Sequence, residues 1–126
     1  VSIRRAGQTV NNFSLSFKTD QDVVVMAPKG YVNDIGAESL EHASEQVLDK
    51  GLKKLVVNFS DMQYINSIGA SVFIGIVQKT IENEGQLCFT NMKKVHQDVF
   101  EMLGITKHVR VFKEEQDALS FLNEKA

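Results

Sequence analysis

Apolar and polar positions alternate from Phe13, with Phe13, Leu15 and Phe17 set against Ser14, Ser16 and Lys18, which predicts a strand with one wet face. Residues 19–22 turn the chain into the apolar run 23–27, so the first two strands form a hairpin. Pro28 removes a backbone donor and Gly30 permits a sharp reversal, and the second strand is expected to end at or just after Pro28. Leu40, Ala43 and Val47 then recur at helical spacing, with Glu38, Glu41 and Glu45 on the other side. This predicts an amphipathic helix over 35–50, stopped by Gly51.

Leu55, Val56, Val57 and Phe59 suit a strand buried on both faces of a parallel sheet. Ser60, Asp61 and Gln63 bring turn chemistry while Met62, Tyr64 and Ile65 hold to the core, so 60–65 reads as a loop close to the body. Asn66 and Ser67 are both good N-cap residues. The mostly apolar helix that follows, carrying Ile68, Ala70, Val72, Phe73, Ile74, Ile76 and Val77, is expected to be largely covered. Leu87, Cys88 and Phe89 make the next buried strand. A helix over about 93–103 follows, with Val95, Val99, Met102 and Leu103 as its apolar face and Gly104 as its stop. Val109, Val111 and Phe112 form a last short strand, and 114–122 a terminal helix. Residues 1–12 are polar and read as a flexible arm or weak edge strand. The order predicts one α/β domain over 13–126, a mixed and mostly parallel sheet of about five strands with about four helices and right-handed crossovers.

Composition narrows the functional classes. At 126 residues, 43% hydrophobic and 24% charged, the chain has room for one core. A net charge of −2 argues against a general nucleic-acid binder. The lone Cys88 excludes an intramolecular disulfide and fits a reducing compartment. No apolar run reaches membrane-spanning length and no secretory signal opens the chain, so a cytoplasmic protein without membrane insertion is expected. His42, His96 and His108 lie in separate elements without zinc-site spacing and read as surface or packing residues. With no Gly-rich phosphate loop before a Lys, neither an enzyme nor a cofactor is indicated.

The remaining chemistry gathers at Ser67, whose hydroxyl can cap a helix, accept a phosphoryl group, or do both. Around it, Tyr64, Ile65, Ser67 and Gly69 in YINSIGASVFIG resemble the signature of STAS domains, the family of bacterial anti-sigma factor antagonists. Asn66 stands where that family usually has Asp, and Ala70 and Ser71 where Leu and Gly are common. Gly30, Tyr31, Val32 and Asn33 resemble a second family element, again without its acids. The resemblance implies a regulatory domain that binds an anti-sigma factor/serine-protein kinase through Asn33, Tyr64, Asn66, Ser67, Ile68, Gly69 and Ser71. It further implies phosphorylation at Ser67, with a serine phosphatase as the candidate reverse arm, while the oligomeric state stays open with a homodimer as one candidate.

Two other readings stay open. One is a STAS scaffold subunit of a stress-signalling or transporter assembly that never cycles through phosphorylation, which Asn66 in place of Asp favours. The other is a small-ligand or lipid carrier, whose apolar pocket the sequence does not display. Ser71 is either a second modifiable hydroxyl or a helix-surface serine. Tyr31, Val32 and Ile35 offer an apolar contact patch near the first helix.

Overall fold

The computed structural model describes residues 13–124, so the expected arm at 1–12 lies outside the described residues. Within them the chain runs β1 (Phe13–Asp20), β2 (Val23–Val32), α1 (Asp34–Asp49), β3 (Lys54–Asn58), β4 (Met62–Ile65), α2 (Ser67–Glu82), β5 (Gln86–Thr90), α3 (Lys94–Met102), a 3-10 turn (Ile105–His108), β6 (Arg110–Phe112) and α4 (Glu115–Glu124). The sheet order is β1-β2-β3-β5-β6, with β4 paired to β2 off that path. Only β1 runs antiparallel to its neighbour.

The expected α/β fold is the one observed, with three local corrections. β2 does not stop at Pro28 but continues to Val32. Its ladder to β3 covers Val23 to Met26 and its ladder to β4 begins at Gly30, so Pro28 falls in a stretch paired on one side only, by Leu15 of β1. A missing N–H costs nothing there. Residues 62–65 form a strand rather than a loop, because the freed upper half of β2 offers them a ladder. Third, of the expected stripe Val95, Val99, Met102 and Leu103 on α3 and its end, only Val99 packs partly against the core. Val95 and Met102 are 62% and 84% exposed, and the inward face is His96 and Phe100.

The helices cover the two sheet faces unequally. One face carries α1, α2 and α3 over the main core, where Phe59, Phe73, Phe89 and Phe100 bring four elements or their edges together. All six ring pairs lie 5.0–5.9 Å apart, between centroids. The other face holds a smaller cluster of Val23, Val25, Val56 and Cys88 beneath Ala118, Leu119 and Leu122 of α4. Cys88 is buried, as its apolar neighbours imply. The apolar α2 is less covered than expected, since Ile68, Ile74 and Ile81 face outward. Among the described residues no helix is long and apolar enough to cross a membrane, and no cluster of metal-ligating side chains exists.

Candidate functional site

At the carboxyl ends of β2 and β4, paired as Tyr31 with Tyr64 and Val32 with Ile65, two helices begin side by side. Each is capped by an Asn. The Asn33 Oδ1 accepts from the Gly36 N–H at 3.0 Å, and the Asn66 Oδ1 accepts from the Gly69 N–H at 2.6 Å. The main-chain carbonyls of the same two residues accept from Ala37 and Ala70, both at 2.9 Å. The two caps thus satisfy donors that would otherwise be orphaned, and they set both helix starts, with their partial positive charge, on one surface.

Close approach of these starts depends on Gly69. A Cβ there would lie 2.5 Å from the Val32 carbonyl oxygen and 3.1 Å from that of Asn33. Gly69 is therefore a buried spacing residue that lets α2 lie against the end of β2. It also leaves Ser67, one step after the cap, exposed as the first residue of α2. Of the two N-cap candidates, Asn66 does the capping and the Ser67 hydroxyl is left out of that task.

An apolar rim surrounds Ser67. Ile35 and Ile68 hold the second position of α1 and α2, and they are 46% and 61% exposed. Tyr64 is 67% exposed and meets Tyr31 edge to face, with ring centroids 6.2 Å apart. The Tyr31 hydroxyl accepts from Asn66 Nδ2 at 3.2 Å, which ties the rim to the cap. A shallow cleft of about 500 Å³ lies among Tyr31, Gln63, Tyr64, Ile65 and Asn66. Val32, expected in an apolar contact patch with Tyr31 and Ile35, is instead fully buried because it pairs inward against the core. Ser71 is exposed one turn along α2, its Oγ donating to the Ile68 carbonyl at 2.8 Å.

Two residues that sequence reasoning left aside hold this surface from behind. Among the described residues β4 has a strand neighbour on one side only, and α3 and its cap contact it through side chains. Lys93 Nζ donates to the Met62 carbonyl at 3.3 Å, and His96 Nε2 lies 3.3 Å from the Gln63 carbonyl. The imidazole is 4% exposed. Burial lowers its pKa, against the opposing effect of the Gln63 bond and together with the nearby Lys93 charge. The neutral ring therefore donates through Nε2, leaving Nδ1 buried without a partner. A His beside a Lys at the start of a helix was the available signal, but which strand it would touch depends on the crossover.

Known proteins share this fold. The family model described as the STAS domain matches residues 14–118. BtrV of Bordetella bronchiseptica, named as an anti-sigma factor antagonist, is 28% identical over 82 residues, covering 65% of this chain and 71% of its own length. An anti-sigma factor antagonist from Mycobacterium paratuberculosis superposes with a TM-score of 0.78 at 17% identity, over 91% of this chain and 98% of that one. The Bacillus cell fate determinant SpoIIAA, solved in its phosphorylated form, gives 0.67 at 17% identity over 87% and 98%. At such identities the two structures speak for the fold.

Proposed function

The chain belongs to the STAS domain family, and from that premise we propose that it is an anti-sigma factor antagonist working by partner switching. Unmodified, it binds an anti-sigma factor of the serine-kinase type through the surface around Ser67. Phosphorylated there by that partner, it is released, and a serine phosphatase returns it to the binding form. ATP and catalytic groups belong to the partner; this chain supplies the substrate hydroxyl.

The observation that carries this reading is the exposed Ser67 at a helix start, ringed by Tyr31, Ile35, Tyr64 and Ile68. A phosphoryl group adds about −1.5 to −2 charges, which the first turn of a helix tolerates, so the fold survives the modification. The existence of phosphorylated SpoIIAA with this fold supports that step. A partner packed on the apolar rim would have to strip water from the dianion, and that cost opposes the gain from burying the rim.

The test is incubation with the candidate kinase and ATP, followed by mass-spectrometric mapping, alongside binding of Ser67→Ala and Ser67→Asp. Label on Ser67, retained binding by the Ala variant and at least about tenfold weaker binding by the Asp variant are expected. Label found only elsewhere removes Ser67 from the mechanism. One observation favours the second reading, a scaffold subunit that is never phosphorylated. Asn66 puts no carboxylate beside the Ser67 hydroxyl, and its amide is engaged by Tyr31. Unaltered binding of Ser67→Asp with no label on Ser67 would select the scaffold.

A further inference from the structure

The far half of α2 forms one wall of an open groove, and the segment running from the 3-10 turn into β6 forms the other. Two adjoining hollows of about 470 and 360 Å³ make up this groove, and they share Val77, Ile81 and His108. Val77, Leu87 and Val109 line it nearly buried, beside the polar Thr80 and Gln86, and Ile81 stands 57% exposed on its wall. Its rim carries two cations, Lys107 and Arg110, with His108 beside them on the same short stretch of chain.

Among the described residues neither hollow is lined by a single Asp or Glu, although acids outnumber Lys and Arg 16 to 14 in the whole chain. Among the described residues, Lys107, His108 and Arg110 have no carboxylate within ion-pair distance. The Arg110 guanidinium stands 4.5 Å from the centroid of Phe121 and 6.0 Å from that of Phe112. Stacking fixes the charge at the mouth while consuming none of its hydrogen-bond donors. A cation held in this way is open to an anion from outside, and the adjoining apolar wall of Ile74, Ile81 and Leu103 favours an anion with an apolar body.

We propose that this groove binds a small amphipathic organic anion of the acyl-carboxylate class, its chain against Val77 and Ile81 and its head group at Lys107 and Arg110. The volume lies within the range of about 300–1,000 Å³ common to small-molecule sites. The groove is open along one side, so part of the ligand stays in water and the affinity is modest. At 1.5 Å per helical residue, Ile81 lies roughly 20 Å along α2 from Ser67, so an occupant leaves the Ser67 surface clear. The proposal therefore stands independently of partner switching.

Decanoate serves as the probe, followed by amide and methyl chemical shifts of the isotope-labelled chain, with decanol and acetate as controls. Saturable shifts at Ile74, Val77, Ile81, Leu87 and residues 107–110, and not around Ser67, are expected with decanoate, with decanol about tenfold weaker and acetate without effect. Lys107→Gln with Arg110→Gln should weaken decanoate about tenfold and leave decanol unchanged. Should that pair disturb the packing on Phe121, Lys107→Gln alone and Ile81→Gln, which alters the opposite wall, must each weaken decanoate. Equal binding of decanol and decanoate, insensitivity to these substitutions, or shifts that never saturate would overturn the proposal. So would binding to vesicles of anionic lipid without any binding of free decanoate.

Discussion

Asn66 performs two jobs with two ends of one side chain. Its oxygen caps Gly69 and its nitrogen reaches the Tyr31 hydroxyl. Asn66→Ala should lose about 0.5–2 kcal/mol in urea denaturation through the cap. Asn66→Asp keeps the cap, adds a favourable charge at the helix start, and reverses the second bond, the Tyr31 hydroxyl now donating to the carboxylate, so its stability should stay within about 0.5 kcal/mol of the parent. Two glycines of α2 differ in the same informative way. At Gly69 the obstacle to a Cβ is backbone, the Val32 carbonyl, so Gly69→Ala should cost about 1–3 kcal/mol. At Gly75 the obstacle is the movable Glu41 carboxylate, whose pKa burial raises, with Glu45 and Glu38 adding to the effect and Lys79 opposing it. Once that side chain swings away, Gly75→Ala gains helix propensity approaching 1 kcal/mol, and thermal unfolding should show it neutral or stabilised.

Among elements, β4 depends most on its neighbours. Four residues with a single strand partner make a weak ladder, and α3 compensates through Lys93 and His96. Because burial disfavours the imidazolium, the unfolded chain takes up a proton at His96 near the ordinary 6.5 while the folded chain still refuses it. Stability therefore falls as pH drops below 6.5, down to the lowered folded value. Urea midpoints between pH 7.5 and 5 should show this slope, and His96→Leu should remove it. Period-two and helical patterns made most elements legible, since burial on a known face writes itself into spacing. They failed where a tertiary partner decides. The stripe Val95, Val99 and Met102 has good helical spacing, yet the position of Phe59, Phe73 and Phe89 draws Phe100 inward instead. Residues 62–65 read as turn and loop because their strand character derives from an unpaired edge of β2. At the candidate site, the resemblance around Ser67 is what pointed to this surface. The Tyr31–Asn66 bond and the props from Lys93 and His96 join residues 35, 31 and 33 positions apart, and local pattern carries no such information.

For the whole molecule, the four-phenylalanine cluster is the common anchor of β5, α2, α3 and the end of β3. Phe100→Ala should cost about 3–5 kcal/mol because it opens a cavity among rigid rings that cannot collapse. Phe112→Ala, at a partly exposed rim, should cost much less, and paired chemical-denaturation curves compare the two. The opposite face is pinned by Glu115. Burial by itself would raise this carboxyl, but hydrogen bonds from Lys18 and Asn58 and the Lys18 charge outweigh it and hold the pKa below the ordinary 4.5. That contribution is complete above 4.5 and disappears as pH falls through the lowered folded value. Glu115→Gln should flatten only this acid limb, leaving the His96 slope near neutral pH untouched.

The sheet also forks. β2 hands its neighbour over from β3 to β4 around Pro28, so the floor beneath Ser67 is stitched by three residue pairs, while β3 is laced to strands on both sides. Deuterium should accordingly enter 62–65 well before 54–58, and a visitor seated over the two tyrosines would slow the first exchange while leaving the second as it was.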